Sequence, residues 1–65
     1  MEILVNGERH EVAAHTLDAA LSELGYGTAH VATAVDGDFV PASARAGWPL
    51  ADGSAVEIVA PMRGG

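Results

Sequence analysis

One short helical stripe most constrains how this chain can fold. Its apolar residues recur at the i, i+3, i+4, i+7 spacing that lines one face of a helix: Leu17, Ala20, Leu21 and Leu24. Thr16 is placed to cap the first turn, and Gly25, which tolerates a positive φ, is placed to end the helix. A helix with a single apolar stripe covers one face of one sheet, so the remaining residues have to supply that sheet.

Alternating apolar residues predict the strands. Two hairpins are expected, each made of two alternating runs around a turn: residues 1–5 and 8–13 around Asn6-Gly7, and residues 31–35 and 38–40 around Asp36-Gly37. Asn-Gly and Asp-Gly suit the type I′ turn, because both of its central residues need positive φ. Pro41 cannot donate to a ladder and is expected to end the second hairpin.

The rest of the chain completes the expected fold. Residues 42–51 are predicted to be irregular, Asp52-Gly53 to form a turn, and residues 56–60 to form the last strand. The order strand, strand, helix, strand, strand, loop, strand predicts an α+β fold of the β-grasp (ubiquitin-like) type. In this fold a mixed sheet of four to five strands packs on one helix, with the first and last strands parallel at its centre. We expect residues 1–65 to form a single domain with a flexible tail at 61–65.

Composition narrows the classes of function. Nine carboxylates face three arginines and no lysine, which gives a formal charge of −6. Such a surface repels nucleic-acid phosphates and favours a protein partner with a basic docking face. Cysteine is absent, so disulfides, thiolate nucleophiles and cysteine-ligated metals are excluded. No apolar run has the length of a membrane span and no signal peptide is recognisable, so we expect no membrane contact and a cytoplasmic location.

Polar residues form no catalytic or metal-binding pattern. The three histidines, His10, His15 and His30, lack the i, i+4 pairing of helical metal ligands. The serines lack a nucleophile elbow or triad context, and no glycine-rich phosphate loop is present. We therefore expect no catalytic residue, no metal and no cofactor bound by this chain.

The sequence ends on Gly64-Gly65, soon after the last predicted strand. Glycines lack Cβ atoms, so such a tail can enter a channel too narrow for other residues and present its terminal carboxylate there. Met62 and Arg63 are placed to contact the mouth of such a channel. The alternative is an inert tail, with a solvated arginine and a methionine that covers apolar surface.

Several short motifs, taken in order, resemble one family: ILVNGE at 3–8, TL at 16–17, ELG at 23–25, VDGDFVP at 35–41, PLADG at 49–53, VEIV at 56–59 and GG at 64–65. Together they are similar to the small sulfur-carrier proteins of thiamine biosynthesis, the ThiS family, over essentially the whole chain. Ser54 and Trp48 depart from the family pattern, which bears on loop packing more than on the tail.

The resemblance implies a function for the tail. A partner adenylating (E1-like) enzyme, which holds ATP and Mg²⁺, would adenylate the Gly65 carboxylate. A sulfur-donor protein would supply a persulfide sulfur to form a thiocarboxylate, and a thiazole synthase would accept that sulfur. Gly64 would let the tail pass through the partner's channel. On this interpretation the chain is a protein co-substrate and not an enzyme.

Strand alternation also predicts a docking surface. Leu4 and Val59 fall opposite the helix-covered face, and they would adjoin if the first and last strands are neighbours. An exposed apolar patch near a functional tail is typical of a docking site, whereas isolated surface apolar residues are common. Either Phe39 or Val40 could extend the patch, and alternation does not decide between them.

Two other functions fit parts of the pattern. A molybdopterin-synthase small subunit, or a carrier for another sulfur metabolite, would keep the tail chemistry and change the pathway; the short length favours thiamine. A non-reactive β-grasp binding module of the TGS type would resemble the chain through the helix and the last strand. The acidic charge and the Gly-Gly ending argue against that module.

Overall fold

The computed structural model describes residues 1–27 and 30–60. Its elements follow in chain order: strands β1 (Glu2–Val5) and β2 (Glu8–Glu11), helix α1 (Leu17–Glu23), strands β3 (Ala32–Val35) and β4 (Asp38–Val40), a 3₁₀-helix (Ala42–Gly47) and strand β5 (Ala55–Val59). The five strands form one sheet in the order β2-β1-β5-β3-β4. Strands β1 and β5 are parallel neighbours at its centre, and the other pairs are antiparallel. The predicted β-grasp fold is confirmed.

The two hairpins turn as their sequences predict. Asn6 and Gly7 have φ values of 49° and 86°, and Asp36 and Gly37 have φ values of 51° and 88°. Two consecutive positive φ values are the requirement of a type I′ turn, whose twist matches that of the flanking strands. These turns fix the register of each hairpin, and with it the face to which every side chain in the four strands points.

Helix α1 begins and ends at the predicted residues. The hydroxyl of Thr16 accepts a hydrogen bond from the Ala19 amide at 3.3 Å. At the other end Gly25, with φ 94°, donates to the Ser22 carbonyl, and the Tyr26 amide donates to the Leu21 carbonyl at 2.7 Å. This pair of bonds is the Schellman motif, which satisfies carbonyls that the helix leaves without a partner.

The core lies between α1 and one face of the sheet. Its fully buried members come from every layer of the fold: Ile3 of β1, Val12 after β2, Leu17 of α1 and Val40 of β4. Leu21 is also buried, and Leu24 packs half-buried at its edge. The predicted helical stripe therefore faces the sheet, and its burial against the strands is the main source of stability in a domain this small.

The prediction that residues 42–51 are irregular is wrong for the first part of the segment. Residues Ala42–Gly47 form a 3₁₀-helix that starts after Pro41, whose carbonyl accepts from the Ala44 amide at 2.9 Å. Arg45 attaches it to the sheet by donating through Nε to the Thr33 hydroxyl at 3.0 Å. Ala44 of this helix packs half-buried against the core. A helix of six residues is too short to show an apolar periodicity that sequence alone would reveal.

Strand β2 ends at Glu11, two residues earlier than predicted. The Val12 amide still donates to the Met1 carbonyl at 2.8 Å, and beyond it the Glu23 carboxylate of α1 accepts hydrogen bonds from the amides of Ala13 and Ala14 at 3.0–3.1 Å. These amides are thereby satisfied by a side chain and not by a neighbouring strand.

The two departures from the family pattern are both well packed. Trp48 is half-buried against the core, and its carbonyl accepts from the Leu17 amide at 2.9 Å. Ser54 is buried, and its hydroxyl accepts from the Ala51 amide at 2.9 Å across the Asp52-Gly53 turn. Neither residue disturbs the sheet.

Candidate partner-docking site

The face of the sheet opposite α1 is not covered by any element of the described residues 1–27 and 30–60. Alternation and register assign its side chains strand by strand: Arg9 and Glu11 from β2, Glu2 and Leu4 from β1, Ala55, Glu57 and Val59 from β5, Ala32 and Ala34 from β3, and Phe39 from β4. We call this surface the open face. It carries both charged and apolar groups, and these groups are not evenly distributed.

Phe39 and Val59 form the apolar end of the open face. They are 68% and 63% exposed, and they are the large hydrophobic side chains that the described structure leaves exposed. Phe39 lies opposite Ala34, and Val59 lies opposite Ala32. Because the two alanines are small, the larger side chains border a shallow apolar hollow, with Glu57 on its rim.

The structure decides between Phe39 and Val40. Val40 is fully buried and belongs to the core, whereas Phe39 points to the open face. The pairing of Thr33 with Val40, and of Ala34 with Phe39, sets this alternation. Phe39 therefore extends the patch that contains Val59.

Leu4 lies on the same face but does not adjoin Val59, so that expectation is wrong. Leu4 pairs with Ala55 at the start of β5, and Val59 lies four residues further along the strand. At about 3.3 Å per residue this separation is about 13 Å. Glu57 projects between them, and Leu4 is itself only half-exposed. Neighbouring strands do not by themselves make two residues adjacent, because the register places Leu4 and Val59 at different heights along the strands.

The predicted tail residues Met62, Arg63, Gly64 and Gly65 lie outside the described residues. The apolar hollow is nevertheless close to them in sequence, because Val59 is the last residue of β5. A partner that covers this hollow would contact the chain immediately before residue 61.

Metal binding and membrane insertion have no matching feature in the described part of the chain. Residues 1–27 and 30–60 contain no group of three side chains that could hold a metal ion. In the part of the chain that the structure describes, the nearest approach of a histidine to a carboxylate is between His10 Nε2 and Glu8 Oε1, at 4.0 Å. Within the same ranges no helix is long and apolar enough to cross a bilayer.

One contact near this site was not foreseen from the sequence. The Asn6 side chain, predicted only as a turn residue, donates through Nδ2 to the Ile58 carbonyl at 3.0 Å and accepts through Oδ1 from the Ile58 amide at 2.8 Å. The two residues are 52 positions apart, and no local pattern signals their contact.

The family model described as "ThiS family" matches residues 3–65. The chain belongs to the ThiS family. The match spans both hairpins, α1, β5 and the terminal glycines, which are the parts that carried the resemblance in sequence.

Solved structures agree with membership of the ThiS family. The crystal structure of a thiamine biosynthesis protein (ThiS) from Geobacter metallireducens superposes with a TM-score of 0.84 at 29% identity, and all of both chains is covered. A solution NMR structure of a thiamine biosynthesis protein from the same organism gives a TM-score of 0.77 at 28% identity, covering 100% of this chain and 88% of the other. No curated protein matches this chain in sequence.

Proposed function

We propose that this protein is a sulfur carrier of thiamine biosynthesis and that it carries the sulfur as a thiocarboxylate on Gly65. The observation that supports this most directly is the ThiS-family match, because it extends over residues 3–65 and so includes the terminal glycines. The similar solved structures are both described as thiamine biosynthesis proteins, which favours thiamine over the molybdopterin alternative.

The proposed chemistry begins with activation of the tail. An ionised carboxylate, with an ordinary pKa of about 3.3–3.7, is a poor electrophile at pH 7. The Gly65 carboxylate attacks the α-phosphate of ATP, which forms an acyl-adenylate and releases pyrophosphate. The partner enzyme supplies the ATP and Mg²⁺ site, because this sequence has no phosphate-binding loop. The need for ATP also leads us to place the reaction in the cytoplasm.

Sulfur transfer then follows in two balanced steps. The terminal sulfur of a donor persulfide attacks the acyl carbon and displaces AMP, so that an acyl persulfide forms. A thiol attacks the bridging sulfur–sulfur bond, which leaves the thiocarboxylate on Gly65 and oxidises the donor and the thiol to a disulfide. The thiocarboxylate is the nucleophile that a thiazole synthase would consume.

Recognition by these partners is assigned to the open face and the tail. The hollow bordered by Phe39 and Val59 offers apolar surface, and Glu57 gives it an acidic rim. Partner interfaces commonly combine an apolar centre with a polar rim, in which the charges govern encounter rate and specificity. Leu4, which pairs with Ala55 at the opposite end of β5 from Val59, would contribute at the edge of such an interface. Met62, Arg63 and Gly64 would follow the channel to the reactive site.

Deletion of Gly65 tests the proposal. The parent protein, mixed with the adenylating enzyme of its host and Mg-ATP, should release pyrophosphate, and the protein lacking Gly65 should release none above background. The deletion should leave the melting temperature unchanged, since Gly65 follows the end of β5 in sequence. Equal pyrophosphate release from parent and truncated protein would exclude Gly65 as the activated residue.

A further inference from the structure

Strand β5 extends beyond the end of β1, its parallel neighbour in the sheet. The parallel ladder between β1 and β5 pairs Leu4 with Ala55 and Val5 with Val56, and then β1 ends at the Asn6-Gly7 turn. Residues 57–59 extend past this point. They are the last residues of the sheet before the tail. On one side the antiparallel pairing with β3 reaches Val59, so the contacts on the β1 side decide how firmly the start of the tail is placed.

The Asn6 side chain continues the ladder beyond the end of β1. The ladder proceeds through the Leu4 amide, which donates to the Ser54 carbonyl, and the Asn6 amide, which donates to the Val56 carbonyl, both at 2.9 Å. The next step in a parallel ladder would join Ile58 to backbone groups of β1, which turns away there. The Asn6 carboxamide takes their place, accepting from the Ile58 amide at 2.8 Å and donating to its carbonyl at 3.0 Å.

A carboxamide makes both bonds at once at neutral pH, and an ionised carboxylate cannot. Asparagine presents an acceptor oxygen and a donor NH₂ group, as a peptide unit does, whereas an ionised carboxylate only accepts. Asparagine also tolerates the positive φ of 49° that the turn requires at this position. The same residue therefore closes the hairpin and holds the neighbouring strand.

The second hairpin provides a built-in comparison. Asp36 occupies the same turn position with φ 51°, and its Oδ1 accepts from the Ala55 amide at 2.9 Å. This side chain makes only an accepting contact and lies at the start of β5. Exchange of its carboxylate for a carboxamide preserves that contact, whereas the reverse exchange at Asn6 removes a donor and places a charged oxygen against the Ile58 carbonyl.

We propose that Asn6 is a positioning residue that fixes the carboxyl end of β5, and so the start of the tail, by substituting for the missing residue of β1. This role rests on the proposed function, because the consequence of a misplaced tail is a slower reaction at Gly65. We call the two hydrogen bonds between the Asn6 carboxamide and Ile58 the clamp. Loss of the clamp should therefore lower the kcat of tail activation more than it weakens binding to the adenylating enzyme, because that binding depends on the open face.

Amide hydrogen exchange tests the clamp itself. In the parent the Ile58 amide should be protected, although it lies past the last β1 pair. In Asn6→Gly, which keeps the positive φ and removes the carboxamide, exchange at Ile58 should accelerate by about tenfold or more relative to Val56 in the same sample. Equal ratios in parent and variant would overturn the clamp.

Enzyme kinetics test whether the Asn6–Ile58 contacts affect the reaction of the tail. With the adenylating enzyme and Mg-ATP, Asn6→Asp and Asn6→Gly should each lower kcat by about tenfold or more, because a small misplacement of a reacting group has large effects on rate. KM should change by less than about threefold, and Asp36→Asn, the matched control, should behave as the parent. Rates are compared at a temperature at which all four proteins are folded. Parent-like kcat in both Asn6 variants, or an equal loss in Asp36→Asn, would overturn the positioning role.

Low pH should restore the stability of the Asn6→Asp variant, whereas a general loss of packing would not be restored by acid. In Asn6→Asp the charged form is disfavoured beside the Ile58 carbonyl, which raises the folded-state pKa of the new carboxyl above its unfolded value near 3.9. Its penalty is therefore absent below about pH 4 and appears as pH rises through that value. The melting temperature of the variant should approach that of the parent at low pH, and a difference that stays constant with pH would contradict the proposal.

The two proposals fail in different ways. If the parent releases no pyrophosphate at all, the proposed function is wrong and the positioning role falls with it. If the parent is active and both Asn6 variants are equally active, only the positioning role is wrong.

Discussion

Phe39 and Val40 are neighbours in β4 with opposite surroundings, so their alanine variants should separate docking from folding. Phe39 is 68% exposed on the open face, and Val40 is fully buried in the core. We predict that Phe39→Ala loses partner affinity and keeps its stability, whereas Val40→Ala loses stability and keeps its affinity once folded.

The magnitudes follow from these exposures. A Phe side chain has about 200 Å² of surface, so 68% exposure leaves about 140 Å² for a partner to cover. At about 25 cal/mol per Å² the ceiling is about 3.4 kcal/mol. Association recovers only part of such an area, and we expect at least about 1.4 kcal/mol, a tenfold rise in Kd. The effect of Phe39→Ala on the free energy of unfolding should stay within about 1 kcal/mol.

Val40→Ala removes two buried methyl groups. At about 0.8 kcal/mol for each group, with a further term for the cavity, the free energy of unfolding should fall by about 2–3 kcal/mol. At about 4–8 °C per kcal/mol this corresponds to a fall in melting temperature of about 10–20 °C.

Calorimetric titration against the adenylating enzyme and thermal melting, performed on the same samples, give both quantities. Titrations are made at a temperature at which both variants are folded. If Phe39→Ala binds like the parent, the hollow does not contact this partner. If Phe39→Ala melts as early as Val40→Ala, the assignment of the two faces of β4 is wrong.

Variants at three further residues test the core and the connection into α1. Leu21→Ala, at a site only 4% exposed, should lower the free energy of unfolding by about 2–5 kcal/mol, while the exposed neighbour Ser22→Ala should change it by less than about 0.5 kcal/mol in urea unfolding; equal effects would mean that the stripe does not face the sheet. Glu23→Ala should cost about 1 kcal/mol, because the amides of Ala13 and Ala14 lose their acceptor, and Glu23→Gln should cost less since it keeps one acceptor oxygen; a larger loss in the glutamine variant would contradict this assignment.

The sequence predicts the local parts of this fold well, because each depends on a few adjacent residues. The Asn6-Gly7 and Asp36-Gly37 turns follow from the positive φ that their type requires. Thr16 caps the start of α1 by accepting from the Ala19 amide, and Gly25 ends the helix by donating to the Ser22 carbonyl. Both contacts lie within one turn. Alternation alone also places Val59 on the open face and Ile58 in the core.

The remaining features depend on register between distant segments, which alternation does not determine. Pairing of Leu4 with Ala55 separates Leu4 from Val59, although both face the same side. The contact of Asn6 with Ile58 and the attachment of Arg45 to Thr33 likewise join residues far apart in sequence. A side chain that serves as the partner of a distant backbone leaves no periodic signal, so these contacts emerge only once the strands are aligned.

The central claim is that Gly65 becomes a thiocarboxylate, and intact mass spectrometry tests it most directly. The protein is incubated with the adenylating enzyme of its host, Mg-ATP, a persulfide donor and a reducing thiol, and its mass is compared with that of a sample lacking ATP. We predict an ATP-dependent increase equal to the replacement of one oxygen by sulfur, located on Gly65 by fragmentation. An unchanged mass, in a reaction where the same enzyme preparation loads a known ThiS protein, would contradict the account.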